Sequence, residues 1–280
     1  MLSLRVGGDS KMRTDSIVTV VVPLVPAHDR FVPQLIAQLV QQREPIERVI
    51  LARSSARSRN MEPLMKSVSA LRAKHDIQIE VSATRRQQLA GQNRNRGWDQ
   101  VGTTFTAFLD ADDEYSENRL AHLVEVAQSE ASDLVLHDFL LKDSDSDSLL
   151  DDTFCLGDLL RTPELFDATF PDGRNRSREG KQPGDTNINI PPNATKHQTV
   201  HHGHVLVRTS LRQYFRYGNL YPGEDGQFCR DVLWAKRQVT YVPAKLSAYR
   251  PGLSAEASAS VALRTRRKLT RFAEFSRVRA

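Results

Sequence analysis

The spacing of apolar positions changes period along the chain, and each change marks an element. Residues 17–22 read Ile-Val-Thr-Val-Val-Val, β-branched throughout, as a strand buried on both faces of a parallel sheet requires. Pro23 and Pro26 end that run, and the loop after it carries Ala27, His28 and Asp29. Over 31–42 the apolar residues fall at Phe31, Leu35 and Leu39, with Ile36 and Val40 one position on; that is one face of a helix. Residues 48–51 predict a second strand and 63–74 a second helix, with Leu64, Val68 and Leu71 in register. Residues 77–81 alternate and predict a third strand. The order β-α-β-α-β implies crossovers and a parallel sheet. A helix over 89–98 then leads into residues 104–113, Thr-Phe-Thr-Ala-Phe-Leu-Asp-Ala-Asp-Asp. Beyond it the pattern predicts a helix over 117–129, a strand over 133–137, a solvated acidic turn over 143–152 and a short helix within 154–170. Residues 171–197 have no periodicity, and a loop of that length in a compact domain is either functional or disordered. A strand over 201–207, helices over 209–217 and 224–236, a short strand over 238–242 and a basic helix from 257 complete the chain.

Residues 104–113 are the centre of this arrangement. An apolar, aromatic run of strand length stops at three carboxylates within four residues. Phe and Thr suit a pleated buried surface and Asp does not, so a core strand delivers Asp110, Asp112 and Asp113 at its C-terminal end. Ligands of open α/β sheets bind at that end. Asp110 and Asp112 sit two apart and can converge on one hard cation, which takes oxygen ligands and bridges to phosphates. The plainer alternative is an acidic turn capping the next helix.

Composition adds limits. A chain of 280 residues buries a full core as one domain with a tail. No apolar run approaches the ~20 residues that cross a bilayer, and the first 16 residues lack the apolar core of a secretory signal. Cys155 and Cys229 are the only cysteines, which excludes a disulfide framework and fits a cytoplasmic protein. The net charge of +5 belongs to the end of the chain. Residues 264–280 hold seven Arg or Lys against Glu274, a net of +6, so the rest carries about −1. Basic charge confined to one end, without interleaved aromatics, excludes a nucleic-acid binder. The tail's Val261, Leu269, Phe272, Phe275 and Val278 among those cations suit packing on the body, a partner helix or peripheral contact with an anionic membrane.

Four segments together resemble the family 2 glycosyltransferases. They are the Val-rich strand ending in Pro23; Gly91, Arg94, Asn95 and Gly97, similar to the family's "aRNxG"; Phe108-Leu109-Asp110-Ala111-Asp112-Asp113, similar to "FLDxDD"; and Gly223-Glu224-Asp225, then Phe228 and Arg230, similar to "gEDxxf". Tyr241-Val-Pro243 and Tyr249-Arg250 with Ser254 resemble the closing strand and "YRxxxxS". The likeness covers residues 17–254 and implies an α/β GT-A fold, with a Rossmann-like, mostly parallel central sheet flanked by helices. It divides the chain into a leader (1–16), the transferase domain (17–254, with 171–198 as acceptor or lid loop) and a basic helical tail (255–280). The implied activity is metal-dependent, inverting transfer of a hexose from a nucleotide diphosphate-sugar to a saccharide, lipid-linked or protein acceptor.

The resemblance also implies roles. Asp112, with Asp110, would hold Mn2+ or Mg2+, and Asp113 would support them. Asp110, Asp29, Pro23, Arg94, Asn95 and Arg96 would bind the nucleotide-sugar. Arginine meets phosphate through bidentate, charge-assisted bonds, although Arg94 and Arg96 equally suit an exposed helix face. One of Glu224 and Asp225 would be the base, the resemblance favouring Asp225; as plain helix-terminal acids both would complement the macrodipole. Two departures stand out. Residues 51–55 read Leu-Ala-Arg-Ser-Ser where paired acids often hold the base, which leaves base recognition to Asp29 and the backbone. Gly252 stands where some members carry His, which leaves a third metal ligand to His201, His202 or His204. His202, His204 and Arg250 are further acceptor-site candidates, and the histidines alternatively only pack. Trp98 and Trp234 read as core anchors.

Other enzymes fit less well. A dehydrogenase lacks its Gly-rich turn after the first strand. A haloacid-dehalogenase-type phosphatase carries Asp-x-Asp on its first strand, whereas three strands precede Asp110. A non-catalytic nucleotide-binding module of the same fold is the remaining alternative.

Overall fold

The computed structural model describes residues 17–142, 188–189, 203–219 and 224–249. The leader, the acidic turn over 143–152, the helix within 154–170, most of the loop 171–198, His201, His202, Arg250 and the basic tail lie outside the described residues.

The Val-rich run forms β1 (Val18–Leu24), followed by a 3-10 helix (Pro26–Phe31) and α1 (Val32–Val40). Next come β2 (Ile46–Arg53), α2 (Ser58–Lys74), β3 (Ile79–Ala83), α3 (Ala90–Trp98) and β4 (Phe105–Phe108). Strands β3, β2, β1 and β4 lie side by side in that order and pair in parallel, as the alternation of strands and helices predicts. The rest of the chain is β5 (Glu114–Tyr115), α4 (Arg119–Ser129), β6 (Leu134–Leu141), β7 (Ile188–Asn189), β8 (Leu206–Arg208), a 3-10 helix (Thr209–Gln213), α5 (Glu224–Trp234) and β9 (Val239–Tyr249). They extend the sheet in the order β4-β8-β6-β9-β5, with β7 also on β9. Here the pairing is mixed: β8 is antiparallel to β4 and β6, and β5 to β9, while β6 and β9 are parallel.

Both faces of the sheet are covered, which is why β1 is apolar at every position but Thr19. Val18, Val20, Val22 and Leu24 enter a core with α1, α2 and α4. Val21 points the other way, into a core with Trp98 of α3 and Phe228 of α5. Pro23, buried and level with Ala52 of β2, lies beyond the last β1–β4 pair, Val21 with Phe108. A proline is tolerated there because the ladder to β4 has ended.

Several elements differ from the pattern: the helix expected over 209–217 is the 3-10 helix Thr209–Gln213, and β6 runs on to Leu141. Helix α2 starts at Ser58, five residues before Pro63, because the Asn60 side chain accepts from the Arg57 N–H at 2.8 Å and closes the helix start. Strand β9 runs seven residues past Val242. His137 pairs with Val242 and Asp138 with Lys245, so Pro243 and Ala244 form a bulge that carries the strand through its proline. The strand expected over 201–207 begins only at Leu206, and Gly203 and His204 form a turn before it.

Gly97 seats α3 on the sheet. A Cβ there would lie 2.5 Å from Val21 Cγ1, and the stiff, fully buried valine has nowhere to move. Gly97→Ala is expected to destabilise the fold by about 1–3 kcal/mol, more than the ~1 kcal/mol of helix propensity it gains. Gly102→Ala, with nothing within 4 Å of the added carbon, is the matched control, and denaturant midpoints of the two variants check the difference.

Candidate active site

Strand β4 ends at Phe108, and Leu109 continues it with one bond to Val21 O at 3.2 Å. The chain then turns through Asp110, Ala111, Asp112 and Asp113 into β5. Tyr115 fixes the turn. Its hydroxyl accepts from the Asp110 N–H at 2.9 Å and donates to the Asp110 carbonyl at 2.6 Å. With that proton committed, the 3.1 Å contact between Tyr115 Oη and His204 Nε2 makes Nε2 the donor. The same Nε2 is 2.8 Å from Asp113 Oδ2 and 4.0 Å from Asp110 Oδ2, and Nδ1 is 3.0 Å from Ser247 Oγ. His204 and Asp113 are buried and Asp110 is half-buried.

Asp110, Asp113 and His204 each offer a ligand atom, all within 4.8 Å of one another. Two carboxylates and one imidazole suit Mn2+ or Mg2+ by charge and mostly by donor type. The Ser247 hydroxyl can also accept from Nδ1–H, the tautomer that would leave Nε2 free to ligate. The grouping differs from the expectation: Asp113 stands with Asp110, and Asp112, buried on the same turn, lies outside the group. Below the cluster, fully buried Arg119 donates to the His204 carbonyl at 2.9 Å and to His137 Nε2 at 3.0 Å. Burial pushes its guanidinium down to about 10.

The second half of the site is the start of α5. Adjacent helical residues point ~100° apart, and Glu224 and Asp225 have separate surroundings. Glu224 is buried and accepts from Arg94 Nη1 at 2.8 Å. Asp225 is half-buried, with Oδ1 taking the Gly226 N–H at 2.8 Å. Arg94 Nη2 donates to Asp110 Oδ1 at 2.7 Å, so one buried guanidinium touches both acidic segments. An exposed helix face is thereby ruled out for Arg94. Burial alone would lower its pKa, but Asp110 and Glu224 more than reverse this and the net shift is upward. Burial raises the Glu224 carboxyl, with Arg94 opposing and Asp225 adding to the rise. Burial, and after it Asp113, Asp110, Asp112 and Asp225, holds the Tyr249 hydroxyl far above its ordinary range. That phenol feels the strand-tip acids and the helix acid at once.

The family model for glycosyl transferase family 2 matches residues 19–201. The chain belongs to that family. No curated protein matches it. Solved structures of similar fold include residues 1–349 of S. aureus TarS, 16% identical with a TM-score of 0.56 over 88% of this chain and 64% of that one. TarS in complex with UDP-GlcNAc is 15% identical, with a TM-score of 0.56 over 83% and 58%. The mannosyltransferase PcManGT from Pyrobaculum calidifontis, in complex with GDP-Man and Mn2+, is 11% identical, with a TM-score of 0.54 over 83% and 56%. The chain spans less than two thirds of each of these structures. The α/β architecture is thus the GT-A fold; nothing in these matches supports the phosphatase or the non-catalytic alternative. No helix of the described residues is long and apolar enough to cross a membrane.

In this family 2 glycosyltransferase the other expected nucleotide-sugar residues are already engaged. Asp29 receives two bonds from Arg53, Nε to Oδ1 at 2.7 Å and Nη2 to Oδ2 at 2.9 Å. Arg53, fully buried at the end of β2, thus neutralises the acid expected to meet the base. Arg96 donates to Ser82 O at 2.9 Å and Asn93 Oδ1 at 2.7 Å, bracing β3. Asn95 holds the Tyr217 backbone through its N–H at 3.0 Å and its carbonyl at 2.9 Å. Pro23 is inside β1, and His202 and Arg250 lie outside the described residues. Sequence reasoning missed Tyr115, Ser247 and the Arg94 bridge. Tyr115 and Ser247 meet only because β5 pairs with β9, and no local pattern marks that.

Proposed function

We propose that this glycosyltransferase moves a sugar from a nucleotide diphosphate-sugar to an acceptor hydroxyl with inversion at the anomeric carbon, assisted by Mn2+ or Mg2+. One observation carries the reading: Arg94 bonds Asp110 at the strand tip and Glu224 at the helix start, so one buried guanidinium joins the candidate cation-binding cluster to the helix that carries the candidate base. UDP, UDP-GlcNAc and GDP-Man occupy proteins of the same fold, one of them with Mn2+, which supports a nucleotide-sugar donor. Asp110, Asp113 and His204 would hold the cation, with Asp112 beside them by family resemblance. When bound, the cation neutralises charge on the departing diphosphate.

The chain's own residues would supply the rest. Glu224 is tied to Arg94, so the base is Asp225, more open and one residue along. Its carboxylate takes the proton of the acceptor hydroxyl as oxygen attacks the face opposite the leaving group, which inverts the anomeric centre. Tyr115 keeps Asp110 fixed through both of its backbone groups, so Asp110 is pre-set for its ligand rather than ordered by it. The acceptor is a saccharide, a lipid-linked or a protein hydroxyl.

Calorimetric titration with UDP, GDP and CDP, with and without Mn2+, tests the reading. At least one nucleotide is expected to bind about tenfold or more tightly with the ion, a coupling of ordinary size between two ligands. Chelation then returns the weaker affinity. Binding indifferent to metal removes the cation from the mechanism, and turnover of an aryl phosphate would point to the phosphatase.

A further inference from the structure

A single guanidinium stands between the two acidic halves of the site, and the helix that carries it is built to hold it there. Arg94 has 3% of its side chain exposed, with 2.8 Å to Glu224 Oε1 and 2.7 Å to Asp110 Oδ1. On the preceding turn of α3, Gly91 is packed so closely that a Cβ would meet Gly218 O at 2.7 Å, Glu224 Cγ at 2.9 Å and Tyr217 Cβ at 3.0 Å. One residue after Arg94, Asn95 pins both backbone groups of Tyr217, and the Tyr217 ring centroid lies 5.4 Å from the guanidinium carbon. One face of α3 thus clasps the start of α5 and residues 217–218. Asp110 divides its carboxylate: Oδ1 meets Arg94, while Oδ2 is turned toward His204, 4.0 Å from Nε2.

A shared buried cation makes its two partners interdependent, because whatever draws on one carboxylate changes what the guanidinium offers the other. We propose that Arg94 is a positioning residue that couples the cation-and-diphosphate end of the site to α5, so that an ion on Asp110 tightens the hold of Arg94 on Glu224 and with it the placement of Asp225. This rests on the nucleotide-sugar reading of the site. A divalent ion on the Oδ2 side claims part of the Asp110 charge, the Arg94–Asp110 bond weakens, and the guanidinium turns more of its field onto Glu224. By linkage, an α5 held in place also favours the ion.

Amide hydrogen exchange of the full chain tests this, followed over residues 217–218 and the first turn of α5, without and with saturating Mn2+ plus whichever of UDP and GDP binds. In the wild type, ligand is expected to slow exchange at the start of α5 by about fivefold or more, the low end of ordinary coupling between sites. Arg94→Lys keeps the charge but has no fork to grip two carboxylates at once; it is expected to lose that ligand-dependent slowing while still saturating with nucleotide. Its kcat is expected to fall about tenfold, with KM for the donor changed less. Glu224→Gln, which keeps the shape and removes the charge, is expected to behave the same way, and it carries the test if the lysine variant does not fold. A merely structural arginine would raise exchange in the free variants and leave the ligand-dependent difference intact, and that result overturns the proposal. Nucleotide binding to the wild type with no change in α5 overturns the coupling alone. Absence of any nucleotide binding fails the donor reading and the coupling together, and the first titration separates the two cases.

Discussion

Asp225→Asn is expected to lower kcat for sugar transfer by about 10²–10⁴-fold, the ordinary worth of a positioned general base, while Kd for the nucleotide stays within about threefold, since a group acting only on the acceptor adds nothing to donor binding. The asparagine keeps the shape of the side chain and the amide oxygen that can still take the Gly226 N–H, now 2.8 Å from Asp225 Oδ1. Only the proton acceptor is removed. The neighbouring acid behaves differently. Glu224 is buried against Arg94, so its amide variant gives up half of a buried ion pair, and loss of one partner in such a pair costs about 3–5 kcal/mol. Glu224→Gln therefore shows its effect first in thermal stability and in the docking of α5, with only about a tenfold fall in kcat, and Asp225→Asn chiefly in turnover. Initial rates of nucleotide release from the donor, beside melting curves for both variants, distinguish them. An Asp225→Asn enzyme within tenfold of wild-type kcat would move the base to another residue.

The parts of this molecule that are legible in its sequence are those whose signal is local. β1 and the run before Asp110 are mostly apolar because helices cover both faces of the sheet, and α1 shows its buried face at Leu35, Ile36 and Leu39. Once these elements alternate, parallel order follows for β3, β2, β1 and β4. What stayed hidden depends on partners far along the chain. Glu114 and Tyr115 count as a strand only because β9 lies beside them, more than 130 residues later. Pro243 reads as a strand end because nothing local shows that β9 bulges against β6.

The same divide runs through the site. Asp110, Glu224 and Asp225 stand out by residue type and spacing. The choice between Asp112 and Asp113 beside Asp110 turns on a His204 that arrives from a turn 90 residues on. Arg53 is visible in sequence only as a departure from the expected acids. The structure makes it the partner of Asp29, so the acid expected to meet the base is held in an ion pair. In the sequence alone, Arg94 suits a phosphate contact and an exposed helix face equally well. Its burial and its two carboxylates, 16 and 130 residues away, belong to the packing of α3 against α5, which no window along the chain contains.

That packing leads to a second large expected loss of stability. Trp98 is fully buried where α3 meets the sheet and α5, edge-on to Phe108 at 5.4 Å, to Phe228 at 5.7 Å and to Tyr217 at 6.4 Å. Trp98→Ala opens a cavity among rings that cannot close it, at a cost of about 3–5 kcal/mol. For a domain of this size that lowers Tm by about 10 °C. Trp98→Phe is expected to be far milder, because it keeps an aromatic face and removes an indole N–H that has no partner among the described residues. Met65→Ala, at a position 39% exposed, is the control and stays within about 0.5 kcal/mol. The alanine variant also reaches the site. Tyr217 is stacked on Phe228 at 4.3 Å and lies beside the Arg94 guanidinium, so loosening the ring cluster loosens the residue that joins Asp110 to Glu224. Nucleotide binding is therefore expected to weaken in Trp98→Ala, below its lowered Tm, and to hold in Trp98→Phe. A Trp98→Ala protein that melts within about 2 °C of wild type, less than 1 kcal/mol at this size, would show that the cluster is not what seats α3.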